Sequence, residues 1–330
     1  MSNRIATSTL FGFDFQINAA IVIMLENIED VDTIRMEGKE DIEILLNDGN
    51  YILAQAKSVV QSSKDFTNVI TNLKKAMESL SEASAGLMIK ELIYITNSTN
   101  PFHVKSEKHI FEGLPTHRNY DNLLPQSQKK IDEIISNLTT SIDKSKLWIQ
   151  TLPFETDDKR ERYKYIWNII EELLNKLRIV GISKESLHQI WCQEIFRSGT
   201  IGEQGIKLTK ADIIWPIIVM STNHENYDDY DLDEAEVEEA TRLYQSIINT
   251  YTERYEFLTK VLYAFNDFLK DKTIKERIPK FVSEKYLDFL YIMDETNIND
   301  HLKEIIIKTI LTNILTKRSH IKRIKEQVNL

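Results

Sequence analysis

The sequence lacks the residue patterns on which several large classes of protein depend. Its 330 residues include one cysteine, Cys192, so an intrachain disulfide is excluded and a reducing compartment is expected. Cys192 has the apolar neighbours Trp191 and Ile195, which favours a small buried side chain over a nucleophile. There is no GxxxxGKS/T phosphate loop, and the seven histidines show no HxxxH or Cys/His spacing. Nucleotide hydrolysis by this chain and a zinc site are therefore not expected.

Long apolar runs are also missing. The most apolar runs, residues 19–25 and 213–220, are much shorter than a membrane span, and the opening residues MSNR do not start a signal-peptide core. We therefore expect a soluble, cytoplasmic protein. A length of 330 residues favours two domains, each long enough to bury its own core.

Charge is unevenly distributed along the chain. The formal net charge of −10 is unfavourable for binding DNA phosphates, but residues 224–239 contain nine acids and no lysine or arginine, and the remainder is nearly neutral. This acidic block is typical of a solvated linker or a first helical turn; a second interpretation is that it repels DNA until a partner covers it. Residues 317–325 contain five basic residues, and cations of this kind stabilise the C-terminus of a helix. The functional alternative is that they contact DNA or an acidic partner surface.

A β-hairpin is predicted in the first sixth of the chain. Residues 42–46 and 51–58 are rich in aliphatic and aromatic side chains and flank the turn sequence Asn47-Asp48-Gly49. Gln55 and Lys57 are two residues apart on the second strand, so their side chains share one face.

The register of this hairpin decides whether Asp41 joins them. A two-residue turn at Asp48-Gly49 would place Asp41 opposite Ala56, on the other face of the ribbon. A three-residue loop, with the glycine in the left-handed position, pairs Asp41 with Gln55 instead. We predict the three-residue loop.

The residues brought together by this register fit phosphodiester hydrolysis. Asp41, Glu37 and the amide oxygen of Gln55 are hard ligands that could hold Mg²⁺, and Mn²⁺ could substitute for it. Lys57 would offset the charge that grows on the phosphate or orient the attacking water. The alternative is that these polar residues form the solvated face of a half-exposed hairpin.

The flanking elements extend the hairpin into a recognisable order. Apolar spacing predicts helices over residues 13–29 and 66–80, the second behind an N-cap at Ser63. Residues 33–36 and 92–96 are predicted to form strands. The order is then αβββαβ, and the last strand can join the sheet in parallel through the second helix.

This order, with Asp41 on the second strand and Gln55-Ala56-Lys57 on the third, resembles the core of the PD-(D/E)XK restriction-endonuclease-like superfamily. The first helix carries Gly12-Phe13-Asp14-Phe15-Gln16, and Glu37 precedes Asp41-Ile42. Together these motifs resemble the double-stranded-DNA endonuclease domain found in effectors of bacterial anti-phage defence, the CBASS-effector type, over about residues 10 to 97.

The resemblance implies a metal-dependent endonuclease active on double-stranded DNA. It implies Asp41, Gln55 and Lys57 as the core of the active site, with Glu37 and Gln16 as neighbours. In layout the chain looks most like LmuA, the effector subunit of Lamassu systems, in which a helical region follows the nuclease domain. That likeness implies an SMC-like ATPase subunit and a small accessory subunit as partners, and an effector held inactive until it is activated.

Most of the remaining chain is predicted to be helical. Helices are expected over residues 127–142, 159–177, 183–196 and 210–220, with Pro216 kinking or shortening the last, and residues 147–153 could add a strand. From residue 233 onward one broad, partly aromatic apolar face predicts a small helical bundle, interrupted at Ile278-Pro279.

The expected fold class is therefore α/β plus all-α. We predict a restriction-endonuclease-like αβββαβ core with helical elaborations over residues 1–222, and a helical domain for partner docking or oligomerisation over residues 223–330. Because nucleases that cut both strands often pair two sites, the active form is expected to be a dimer or tetramer. The alternative function is a non-catalytic adaptor, with a nuclease-like fold that binds DNA or partner proteins.

Overall fold

The computed structural model describes residues 2–62, 64–112, 115–155, 158–200, 206–222, 233–250, 254–293 and 298–330. The chain divides into two compact units: Met1–Lys176 with Ser183–Lys210, and Leu177–Ile182 with Ala211–Leu330. The main boundary observed between units lies at residues 210 and 211, compared with the expected one at 222 and 223.

The first unit is a mixed α/β structure. Its elements, in chain order, are α1 (Ser2–Glu26), β1 (Val31–Met36), β2 (Ile42–Leu46), β3 (Tyr51–Lys57), α2 (Val69–Ala83), β4 (Ile89–Thr96), β5 (Thr116–Asn119), α3 (Pro125–Ile135), β6 (Leu147–Thr151), α4 (Lys159–Lys176), α5 (Lys184–Thr200) and β7 (Leu208–Thr209). Short 3₁₀ helices cover Lys105–Ile110, Tyr120–Asn122 and Lys144–Lys146. The order α1-β1-β2-β3-α2-β4 confirms the predicted αβββαβ succession.

Within the described residues, seven strands form one sheet in the order β5-β6-β4-β3-β2-β1-β7. Strand β4 is parallel to both β3 and β6, and the other neighbouring pairs are antiparallel. The predicted parallel pairing of β3 with β4 is confirmed. Because two parallel strands need a crossover, α2 connects them across one face of the sheet.

The two faces of the sheet are buried under different helices. On one face, Leu53 of β3 and Tyr94 of β4 pack with the apolar side of α2 and with α3. On the other face lies α1, with α4 and α5 packed against it. Since side chains alternate along a strand, Leu53, Gln55 and Lys57 all belong to the α2 face.

Helix α1 meets the length and composition of a membrane span over Ser8–Glu26, contrary to our expectation that no segment would. More than half of that window, 56%, is buried inside the protein. Its apolar side chains are fully buried along the stretch from Ala19 to Met24. A core helix that is mostly buried inside its own domain passes the same test of length and composition.

Several predicted boundaries were wrong. Helix α1 begins well before residue 13, and α2 begins at Val69 after an N-cap at Asn68. Ser63, the predicted cap, lies outside the described residues. Between these positions the Asp65 carboxylate accepts a hydrogen bond from the backbone N–H of Thr67, at 3.0 Å, so a local turn replaces the first predicted helical turn.

Other differences have local causes. Helix α3 ends at Ile135, before residue 142, and its chain continues through turns into a 3₁₀ helix capped by Asp143. Strands β5 and β7 were not predicted, because the polar sequence THRN and a two-residue strand carry no apolar alternation.

The second unit is helical over its described residues. Its helices are α6 (Lys210–Thr222, which begins at the last residue of the first unit), α7 (Glu234–Thr250), α8 (Arg254–Asp267), α9 (Ile274–Lys285), α10 (Asp300–Thr316) and α11 (Arg318–Gln327), with a 3₁₀ helix over Tyr286–Met293. Helix α6 continues past Pro216, so the predicted shortening is wrong while a kink stays a prediction, and α9 continues past Pro279, where a break was predicted. In α9 the buried residues Phe281 and Val282 follow the proline, so packing outweighs one missing backbone donor.

The aromatic face of this unit is partly core, as predicted. Phe265 and Phe281 are buried and meet edge to face with ring centroids 5.4 Å apart. Tyr263, an aromatic residue of the same helix as Phe265, is 72% exposed. The acidic block lies mostly outside the described residues, but its last part begins α7, where Asp233 and Glu236 cap each other's backbone N–H groups. That part is the predicted first helical turn.

Candidate active site

The hairpin between β2 and β3 has the predicted three-residue loop. The backbone N–H of Leu46 donates to the carbonyl of Asn50 at 2.9 Å, and Gly49 has a φ of +82° in the left-handed region. Ile42 pairs with Ala54, so the register places Asp41 opposite Gln55. The geometric condition on which the site depends is therefore met.

The carboxylate of Asp41 is the centre of the site. Its Oδ2 accepts hydrogen bonds from the side-chain amide of Gln55 and from the backbone N–H of Ala56, the latter at 2.9 Å. The Nζ of Lys57 lies 3.7 Å from the same oxygen. Asp41 side-chain exposure is 15% and that of Lys57 is 31%, so the acid is largely enclosed while the lysine reaches the surface.

The sheet positions Gln55 and Lys57 firmly. Both lie near the carboxyl end of β3, beside Tyr94 and Thr96 of the parallel strand β4. Gln55 is 5% exposed, so strand pairing and the helix above it fix its amide. The carboxyl ends of parallel strands are where open sheets commonly bind ligands.

The turn before β2 brings further acids to the site. The N–H of Glu37 donates to the carbonyl of Asp41, and the N–H of Gly38 to the carbonyl of Glu40, both at 3.1 Å. Glu37 has a φ of +52°. A Cβ on Gly38 would lie 2.5 Å from Nε of Arg35 and 2.8 Å from Oε2 of Glu43, so a larger residue would have to displace this ion pair.

Glu37 lies close enough to Asp41 for their charges to interact. Burial, then repulsion by Asp41, raises the pKa of the Glu37 carboxyl, while Lys57 partly opposes the rise. Gln16 of α1 lines a small pocket of about 40 Å³ together with Glu37. Gln16 thus neighbours Glu37, but no hydrogen bond within the described residues joins it to Asp41, Gln55 or Lys57.

A carboxylate that the sequence analysis missed lies in the same turn. Glu40 is 5% exposed, and neither of its oxygens has a hydrogen-bond partner of good geometry among the described residues. Burial raises the pKa of Glu40 to about 7, with a further rise from Asp41; the Ser79 hydroxyl of α2 and the Lys57 ammonium oppose it. Strand alternation would place Glu40 on the opposite side from Asp41, and only the irregular turn brings it inward, so no sequence pattern reveals it.

The donor atoms of the site suit a hard divalent cation. Asp41, Glu37, Glu40 and the Gln55 amide can offer oxygen ligands, and of the acids in the turn Glu40 is buried, with neither oxygen in a hydrogen bond of good geometry. In the part of the chain that the structure describes, no group of three His, Cys, Asp or Glu side chains forms a metal cage. Mg²⁺ does not need one, because it is usually held by one or two carboxylates, water and substrate phosphate.

Other residues of the family-like motif have structural roles. The Asp14 carboxylate accepts hydrogen bonds from Arg162, at 3.1 Å, and from the Tyr163 hydroxyl, at 2.8 Å.

Cys192 contacts His188, and burial raises the pKa of its thiol to about 12. Cys192 is partly buried, where a buried side chain was predicted, and its raised pKa disfavours the thiolate that a nucleophile needs.

Comparisons of the chain with protein-family models, with curated proteins and with solved structures find no match. The functional interpretation rests on the geometry around Asp41 and on the resemblance of its motifs.

Proposed function

We propose that the protein is a Mg²⁺-dependent endonuclease that hydrolyses double-stranded DNA. The observation that carries this proposal is the convergence of Gln55, the Ala56 N–H and Lys57 on one oxygen of Asp41, at the carboxyl end of β3. An acid, an amide and an ammonium around a partly enclosed point are the parts that phosphodiester hydrolysis needs.

Each side chain has a distinct task in this proposal. Asp41 and the amide oxygen of Gln55 would hold the cation, with Glu37 binding directly or through water. The amide now presents its nitrogen to Asp41, so cation binding requires it to turn over and present its oxygen. When bound, the cation polarises a phosphoryl oxygen and lowers the pKa of a water molecule. Lys57, which already reaches the surface, offsets the charge that develops on the phosphate or orients the attacking water.

The biological setting is proposed from the motif resemblance alone. The protein would act in the cytoplasm as the effector of an anti-phage complex of the Lamassu kind, with an SMC-like ATPase subunit and a small accessory subunit. It would stay inactive until activation and cut as a dimer or tetramer. The helical second unit is the proposed docking or oligomerisation part, and no catalytic role is proposed for it.

Plasmid cleavage tests the proposal. Supercoiled DNA is incubated with Mg²⁺ or Mn²⁺ and wild type, Asp41→Ala or Lys57→Ala, with and without the neighbouring operon products. Lys90→Ala is the matched control, because Lys90 lies at the opposite end of β4 and its ion pair with Asp30 is exposed. We expect cleavage by wild type and Lys90→Ala, and none by the two site variants. Equal cleavage by all four proteins would contradict the assignment.

A second candidate function is a non-catalytic adaptor that binds DNA or partner proteins. The observation that favours it is the hydrogen bond by which Gln55 closes over Asp41, since this arrangement is self-sufficient without a cation. DNA binding that survives Asp41→Ala, with no cleavage by any form of the assembled complex, would support the adaptor.

A further inference from the structure

Glu40 is the least satisfied charged side chain near the site. It is 5% exposed, and the Ser79 hydroxyl and the Asp41 backbone N–H lie near its carboxylate, but neither oxygen has a hydrogen-bond partner of good geometry among the described residues. A buried carboxylate without partners is costly, by about 1–3 kcal/mol or more for each unsatisfied group. Glu43 of β2, which is 4% exposed, shows the usual solution, because its Oε2 forms an ion pair with Arg35 at 2.7 Å.

The charge around Asp41 also leaves room for a second acid. Asp41 faces the ammonium of Lys57 at 3.7 Å, so these two opposite charges offset each other. Gln55 is neutral. Glu37 is exposed, whereas Glu40 is enclosed and within electrostatic reach of both Asp41 and Lys57. A cation held by Asp41 would give the Glu40 oxygens the partner that they lack.

We propose that Glu40 supplies the second carboxylate of the cation site, and that Asp41, Glu40 and the Gln55 amide together bind a hard divalent ion. This inference rests on the proposed function, because it assigns a further ligand to the same site. Glu37, the more exposed acid of the same turn, contributes less.

Binding of Mn²⁺ by the full-length protein, followed by electron paramagnetic resonance of the free ion, tests the assignment without any cleavage reaction. Four variants are compared with wild type: Asp41→Asn, Glu40→Gln, Glu37→Gln and the double variant Glu40→Gln/Gln55→Glu. We expect Glu40→Gln to weaken Mn²⁺ binding about tenfold or more, and Glu37→Gln to weaken it less. The double variant moves the acid to the neighbouring strand and should restore the wild-type affinity.

The outcomes separate the two proposals. The assignment of Glu40 is overturned if Asp41→Asn loses Mn²⁺ binding and Glu40→Gln keeps it. It is also overturned if Glu37→Gln loses as much Mn²⁺ affinity as Glu40→Gln. In both cases the proposed function stands. If Asp41→Asn binds as wild type does, or wild type binds no Mn²⁺, both fail. Should Glu40→Gln not fold, Glu40→Asp keeps the charge on a shorter side chain, and unchanged affinity in that variant would overturn the assignment.

Discussion

Replacing Glu26 by glutamine should stabilise the protein, and only at neutral to alkaline pH. Burial, reinforced by Glu91, raises the pKa of the Glu26 carboxyl from 4.5 to about 7, and a hydrogen bond from Gln150 opposes part of the rise. The folded carboxyl therefore keeps its proton over a pH range in which the unfolded one has lost it. The unfolding free energy of the wild type is therefore higher at low pH, and it falls as the pH rises through 7.

The size of the effect follows from the two pKa values. A difference between 4.5 and about 7 sets an upper limit of about 3 kcal/mol once both states are ionised, and because Glu26 is partly exposed, solvent screening reduces the expected effect to about 1–2 kcal/mol. Glu26→Gln avoids this loss, and its new amide can donate to the Gln150 Oε1, which has no partner among the described residues. We expect the variant to exceed wild type in unfolding free energy by about 1–2 kcal/mol at pH 8.5, and by less than about 0.5 kcal/mol at pH 5.

Urea titrations of both proteins at several pH values measure this difference. Fluorescence suits the assay, because Trp148, Trp167 and Trp191, three of the four tryptophans, belong to the first unit with Glu26. Circular dichroism on the same samples shows whether the units unfold separately. A difference between variant and wild type that does not change with pH would refute the reasoning.

Three further predictions concern the site and its surroundings. Lys57→Ala should lower the DNA cleavage rate about 10² to 10³-fold, because the ammonium stabilises charge that develops on the phosphate in the transition state. The thermal unfolding midpoint should not change appreciably. Equal cleavage rates of variant and wild type in a single-turnover assay would contradict this prediction. Gly38→Ala should lower the unfolding free energy by about 1–3 kcal/mol, because a Cβ would overlap the Arg35 and Glu43 side chains, and an unchanged urea midpoint would contradict the described turn. Cys192 should resist iodoacetamide at pH 8 in the folded protein and react in urea, as mass spectrometry can show; fast labelling of the native protein would disprove its burial.

The parts of the fold that local chemistry dictates could be predicted. Apolar runs around Asn47-Asp48-Gly49 determined the hairpin, and glycine in the left-handed position determined its register, which places Asp41 opposite Gln55. The apolar spacing of α2 and the β-branched run of β4 were equally informative. In each case one short segment carries the whole signal.

The parts that depend on distant partners could not be predicted. Strand β5 has a polar sequence and exists because β6 offers it an edge, and α9 continues past Pro279 because Phe281 packs against Phe265. Glu40 was missed for a similar reason. Its inward position comes from a turn with a left-handed Glu37 and a tightly packed Gly38, which strand alternation does not describe.

The most direct test of the central claim is a crystal of the protein soaked in Mn²⁺ and measured for anomalous scattering. The proposed site predicts a peak about 2.0–2.2 Å from a carboxylate oxygen of Asp41, with the Gln55 amide turned so that its oxygen faces the ion. Density that leaves Asp41 bound to the Gln55 amide nitrogen, with no anomalous peak beside it at saturating Mn²⁺, would contradict the claim that this cluster is a metal-dependent active site.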